Sequence, residues 1–185
     1  MNFDSYTDCG VVLAVDLVNS EGISEPDELG DLEALRTFLE DHEISAPGPL
    51  SAVVLGEVMA LRPRLRAVFE AADGAAAARM INDLLQETAA LPQLTDHDGD
   101  AWHLHFTPPG APLAARLAAE AAMGLAGVMR AGGHERLGIC ADIACLEVFV
   151  DASRNRSRRF CNPDLCGNRS SVAAHRARRR AMAGP

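Results

Sequence analysis

Apolar positions recur along this chain at two spacings, and those spacings divide it into elements before any other feature is considered. Residues 10–18 (Gly-Val-Val-Leu-Ala-Val-Asp-Leu-Val) form a continuous apolar run, rich in β-branched residues, and predict a buried strand. Asp16 and Asn19 interrupt it. A small effector could bind there, but a polar pair ending an element more simply caps or turns the chain. Ser24 ahead of Pro26 reads as a helix cap. Leu29, Leu32, Leu35 and Leu39 then carry a helix to about His42, short of the Pro47-Gly48-Pro49 breaker. A second helical pattern holds Val54, Val58, Leu61, Leu65, Val68 and Phe69, with Pro63 inside it. Proline removes a backbone donor and clashes with the preceding turn, so a kink or break is expected near Arg62. Arg62, Arg64 and Arg66 read as a solvated face. Asp73-Gly74 starts a third helix toward Ala90, with Met80, Ile81, Leu84 and Leu85 inward.

From Leu91 the period changes to two. Trp102, Leu104 and Phe106 alternate with His103, His105 and Thr107, and Asp98-Gly99 is a hairpin turn signal. Two same-face histidines could ligate a metal; no third ligand is placed by the sequence, so a wet sheet face is the simpler reading. Asp96, Asp98 and Asp100 suggest a calcium loop, but Thr107 stands where the bidentate Glu belongs. Pro112 opens a long helix to about Arg130, lined by Leu113, Leu117, Ala121 and Leu125 and ended by Gly132-Gly133. The glycine pair marks the expected domain boundary, with an N-terminal regulatory or sensing domain over 1–133 and a second unit over 134–185.

The second unit holds four of the five cysteines, as Cys140 and Cys145, then Cys161 and Cys166, with four residues inside each pair. Four thiolates in two clusters suit a tetrahedral structural zinc ion, with every position filled by protein and none left for chemistry. Two disulfides would need an oxidising compartment, and the chain starts without a charged, apolar secretory segment, so the expected location is the cytoplasm. Cys9 reads as an idle thiol. Around the ligands, Arg136 to Ile139 and Leu146 to Asp151 read as strands, Ser153 to Ser157 as a turn, and Arg158 to Cys161 as a returning strand. A helix follows over about residues 167–182. Knuckle, hairpin and ligand-bearing helix in that order describe a treble-clef-like finger. The fold class is therefore α+β: a mainly helical N-terminal domain with a small antiparallel sheet, plus a C-terminal treble-clef-like zinc finger with four cysteine ligands.

Charge is divided unevenly. Residues 1–150 hold 8 Arg against 24 acidic residues, a net of −16, whereas residues 151–185 hold 9 Arg against 2 Asp, a net of +7. All basic residues besides histidine are arginine. A basic tail on an acidic body fits a polyanion-binding module, or alternatively a tail that neutralises its own body. On a helical wheel Cys166, Ala173 and Ala177 share one side, adjoined by Ala174 and Ala181, where small residues would let the helix lie close on the hairpin. Arg169, Arg176, Arg179 and Arg180 share another, and Arg154, Arg156, Arg158 and Arg159 add charge on the hairpin. These eight are the candidate nucleic-acid contacts. Asn168 and Arg169 also qualify as braces of the ligand loop.

The segment from Cys140 to Arg180, closing its ligands on Cys166-Gly167-Asn168-Arg169, resembles the CGNR zinc finger. The opening Leu13–Ser20 (LAVDLVNS) resembles the start of the domain usually found with it, that of the putative stress-induced transcription regulators. The resemblance implies a bacterial, zinc-dependent, DNA-binding regulator active in a stress response; separately, no apolar run is long enough to span a bilayer, so no membrane partner is expected. Three functions are weighed. The first is a DNA-binding regulator with one structural Zn²⁺. The second is a zinc-stabilised module that grips an acidic protein or a second subunit, as in a homodimer. The third, ranked last, is an enzyme using Asp16, His103 and His105, because no nucleophile–base spacing or phosphate loop accompanies them.

Overall fold

The computed structural model of the chain describes residues 5–22, 26–95 and 102–183, without the side chains of residues 5–8, 103, 177 and 180–183. Among these residues, seven α-helices are joined by two small antiparallel sheets.

The apolar run at residues 10–18 is helical and not a strand: α1 spans Ser5–Asn19. Its buried residues Leu13, Ala14, Leu17 and Val18 repeat at three- and four-residue intervals. Val11 and Val15 are half-buried against the same core, which is why the run looks continuous rather than amphipathic. The long helix α6 (Leu113–Gly132) lies against α1. Where they cross, a Cβ on Gly124 would stand 2.5 Å from the Gly10 carbonyl carbon and from the Val11 nitrogen. Backbone thus meets backbone, and tertiary packing overrides the strand propensity of the valines.

Helix α2 spans Leu32–Asp41 and is capped by Asp31, whose Oδ1 accepts from the Glu33 and Ala34 amides at 2.9 Å. Ser24, the expected cap, lies outside the described residues. Leu29 is buried ahead of the helix, which ends at His42 as its periodicity indicates. Helices α3 (Ala52–Met59) and α4 (Leu61–Phe69) are separated at Ala60, three residues before Pro63. The proline nitrogen has no hydrogen to give the carbonyl four residues earlier, so the ladder breaks one turn upstream of it. Helix α5 spans Gly74–Glu87, capped by Asp73, with Ile81 and Leu84 buried.

The arginines of α4 do not form a solvated face. Arg62 is 2 % exposed, and its two terminal nitrogens donate to the Asp27 carboxylate at 2.7 and 2.8 Å. Arg64 pairs with Glu87 at 2.7 Å, and Arg66 donates to the Leu146 carbonyl at 3.2 Å. Arg66 also pairs with Glu70 one turn away at 3.6 Å, but the other partners lie 23 to 80 residues away, beyond the reach of local pattern.

Strands β1 (Gln93–Thr95) and β2 (His103–His105) pair antiparallel, with Leu94 opposite Leu104. Asp96, Asp98, Gly99 and Asp100 lie outside the described residues. Trp102 and Leu104 are exposed while Phe106 is buried, so the alternation does not mark one inward face. Helix α6 stops at Gly133, whose φ of 82° favours glycine. Strands β3 (Leu137–Ile139) and β4 (Val148–Val150) form the second hairpin. Leu137 and Val148 join the same apolar core as α1 and α4, so the hairpin is seated on the helical body. Residues 158–161 are not a strand; Ala141 donates to the Arg159 carbonyl at 2.9 Å without extending the ladder. Helix α7 (Asn168–Ala183) ends the described chain. Among the described residues no helix is long and apolar enough to cross a membrane.

Candidate metal centre

The four cysteines come from two tight turns. Cys140 leaves β3, and its amide donates to the Glu147 carbonyl at 2.8 Å. The amides of Cys145 and Leu146 both return to the Asp142 carbonyl, and Leu146 adopts the left-handed region at φ 58° to complete the turn. The second pair is set by Asn162. Its side chain accepts from the Asp164 and Leu165 amides at 3.0 and 3.1 Å, opening a single wide helical turn at Pro163–Gly167 that carries Cys166 into α7.

These turns bring all four Sγ atoms within 4.8 Å of one another. Cys145 and Cys161 sulfurs are 3.4 Å apart, and those of Cys161 and Cys166 are 3.6 Å apart. Four sulfurs bound at about 2.3 Å to one tetrahedral ion stand about 3.8 Å from each other, so the donor set and its spacing fit zinc. Cys140, Cys145 and Cys166 are buried and Cys161 is half-buried. Burial pushes the Cys145 thiol up to about 11 and the Cys161 thiol upward as well, because removal from water disfavours the charged thiolate. Binding a metal therefore displaces protons from the cluster. All four positions are filled by protein, which makes the ion structural.

A second layer holds the turns together. Arg169 donates through Nε to Asp142 and through a terminal nitrogen to the Cys166 sulfur at 3.5 Å. That bond joins the first knuckle to the start of α7. The guanidinium beside Asp142 and the Ala144 amide hold its carboxyl below the usual carboxylate range. Asn168 donates to the Asp164 carbonyl at 2.6 Å, bracing the second turn. Asp151 is buried. Burial alone would raise its carboxyl, but bonds from Ser153 and from the Arg158 amide keep it below its ordinary value.

The chain belongs to a known family. Residues 12–132, about two thirds of the chain, match the family described as putative stress-induced transcription regulator. It is a member of that family. Residues 136–179 match the CGNR zinc finger. The four clustered thiols and this match together define a site for one structural zinc ion in the regulator. No curated protein matches the chain.

The candidate arginines of the regulator divide by what they touch. Arg158 is a brace: its Nε donates to the Phe160 carbonyl at 3.0 Å, its other nitrogens to the Val150 and Cys161 carbonyls, and its guanidinium lies 4.9 Å above the Phe149 ring. Phe149 in turn lies across Gly138, where a Cβ would sit 2.5 Å from the ring. Arg156 stands 3.7 Å from Glu135, and Arg159 lies over the Phe160 ring at 5.8 Å. Arg154, Arg176 and Arg179 are exposed, and among the described residues no acidic side chain pairs with them. The Arg180 side chain lies outside the described residues. Ala173 and Ala174 are exposed, so α7 does not lie on the hairpin along them as the small residues suggest; the side chains of Ala177 and Ala181 lie outside the described residues.

Sequence reasoning passed over Arg178, exposed on α7, and Arg136, buried with one nitrogen donating to the Asp151 and Ser153 carbonyls at 2.7 and 2.5 Å. It read Asn19 as a cap or turn residue and passed over Asp142; their partners, 129 and 27 residues away, leave no local signal. Of the residues weighed for catalysis, Asp16 stands 3.6 Å from His42, and His105 lines a separate cavity beside β1; the His103 side chain lies outside the described residues.

Proposed function

We propose that this regulator binds duplex DNA through α7, with the zinc centre fixing the direction of the helix. The observation that carries the reading is the set of exposed, acid-free guanidinium groups at Arg176, Arg178 and Arg179, on a helix whose first turn is tied to Cys166 and Arg169. Each guanidinium that neutralises a phosphate releases counterions, a sequence-independent source of affinity. Arg154 and Arg159, in the segment after β4, add positive charge to the same module, whereas Arg158 is engaged in bracing and Arg169 in joining the knuckles. Residues 1–133 act as the regulatory body and 134–185 as the DNA-binding module, in a bacterial cytoplasm under stress. No catalytic role is assigned.

The test is binding of the zinc-loaded chain to genomic DNA fragments over a salt series. Affinity falls steeply with salt, and the Arg176→Glu/Arg180→Glu variant loses both the affinity and much of the slope. Affinity unchanged by that double reversal contradicts the reading.

A second reading rests on a different observation. Ile143 and Leu165, at the two knuckles, are 91 % and 68 % exposed. Apolar side chains at that exposure suit a protein contact, with an acidic partner or a second subunit as occupant. A defined protein partner together with no retardation of genomic DNA selects it.

A further inference from the structure

Two proline-rich segments, residues 45–49 and 108–112, line a cavity of about 750 Å³ together with α3 and β1. That volume falls within the range of small-molecule sites, roughly 300–1,000 Å³. The walls are braced by the protein itself. Arg116 of α6 donates to the Ala46 and Ser45 carbonyls at 2.8 and 2.7 Å, fastening the first segment to the long helix. In the second segment Ala111 donates to the Pro108 carbonyl at 3.1 Å, and Gly110 takes φ 81°. A site with walls held this way loses little conformational freedom on binding.

The lining specifies its guest. Pro47, Pro49, Pro108, Pro109 and Pro112 all border the cavity. Each brings a rigid C–H face and a carbonyl acceptor, and none brings an N–H donor. Among the described residues no Phe, Tyr or Trp is on the wall, so the flat partner that stacks on these rings is left for the guest to supply. Among the described residues, Arg116 and Glu57 are the charged side chains that reach the cavity besides His105. The terminal nitrogens of Arg116 are committed to carbonyls, whereas Glu57 of α3 is exposed and has no cationic partner among the described residues. The surrounding body, at net −16 over residues 1–150, attracts positive charge from solution.

We propose that this cavity binds a planar aromatic cation, with its ring against the proline faces and its positive charge beside Glu57. The inference adds a ligand class for the regulatory body and does not rest on DNA binding, since the protein alone is titrated.

The probe is proflavine, a flat tricyclic cation, followed by fluorescence polarisation on the full zinc-loaded chain. Anthracene-9-carboxylate, a flat tricyclic anion, is the counter-probe. Thr95→Trp, on a strand that accepts an aromatic, fills the cavity. Glu57→Gln removes the charge. Glu40→Gln, on α2 and outside the cavity, removes an equal charge elsewhere. The expected result is saturable binding of one proflavine per chain and loss of binding in Thr95→Trp. Glu57→Gln weakens binding about three- to fivefold, Glu40→Gln has no effect, and the anion binds at least about tenfold more weakly. The proposal is overturned by absent proflavine binding, by an anion that binds equally well, or by Glu40→Gln weakening binding as much as Glu57→Gln. Should Thr95→Trp fail to fold, the two glutamate variants decide the matter, because both lie on exposed helix positions.

Discussion

Asn19 closes a two-bond ring on the backbone of Val148. Its Nδ2 donates to the Val148 carbonyl at 3.0 Å, and its Oδ1 accepts from the Val148 amide at 2.9 Å. A side-chain amide at the end of α1 thus satisfies β4 as a neighbouring strand would, 129 residues along the chain. Together with the Arg66–Leu146 bond it fastens the zinc-bearing hairpin to the helical body. Asn19→Ala leaves both Val148 groups unpaired in a partly buried setting and is expected to cost about 2 kcal/mol in urea unfolding. A loss below about 0.5 kcal/mol would mean that water replaces the ring at no cost.

The Arg62–Asp27 pair predicts an asymmetry. Arg62 is buried and Asp27 is partly open to solvent. Asp27→Asn strands a buried guanidinium and should cost about 3 kcal/mol, whereas Arg62→Leu leaves a carboxylate that can rehydrate and should cost less. The sign with pH is fixed by the direction of the shift. The Arg62 bond holds the Asp27 carboxyl below its ordinary 3.8, so its contribution is present above that value and is lost as pH falls through the lower, folded value. Acid unfolding below about pH 4 should therefore be shallower in Asp27→Asn than in the parent.

Arg169 and Asp142 should govern how tightly the metal is held without being ligands. Disruption of such outer partners typically weakens metal affinity about 10- to 100-fold. Asp142→Asn and Arg169→Ala are each expected to do so in competition with a chromophoric chelator. The double variant should be weaker than either single one by less than the sum of the two losses, because both remove the Asp142–Arg169 bond, while Arg169→Ala also removes the bond to the Cys166 sulfur. Additive losses would show that the two residues act separately.

Gly124 sits where no side chain fits. Alanine there gains about 1 kcal/mol of helix propensity, but its Cβ would stand 2.5 Å from α1 backbone atoms. The clash should win, with a net loss of about 2 kcal/mol in thermal or urea unfolding. A neutral or stabilising Gly124→Ala would show that α1 and α6 can part without penalty.

The legible parts of this chain are those written locally. The paired cysteine spacing, the Asp73 cap, the Gly133 stop and the break ahead of Pro63 each follow from a few adjacent residues. The strand expected at residues 10–18 failed because enclosure by α6 and the core makes a helix apolar over much of its circumference, which erases its period. The solvated face expected of Arg62 failed because its partner, Asp27, lies 35 residues earlier. The arginines of the zinc module were visible as charge but not as roles. Only coordinates distinguish Arg158, locked onto carbonyls, from Arg176 and Arg179, which face solvent.

One metal ion gathers both cysteine pairs and so sets the start of α7. Metal analysis of the purified chain by mass spectrometry tests it most directly, with circular dichroism recorded before and after chelation. The expected result is one zinc per chain, lost together with helical signal on chelation, and a Cys161→Ser variant that no longer retains the ion. A metal-free chain with the same helical signal, or a Cys161→Ser variant still holding a full equivalent of zinc, would contradict it.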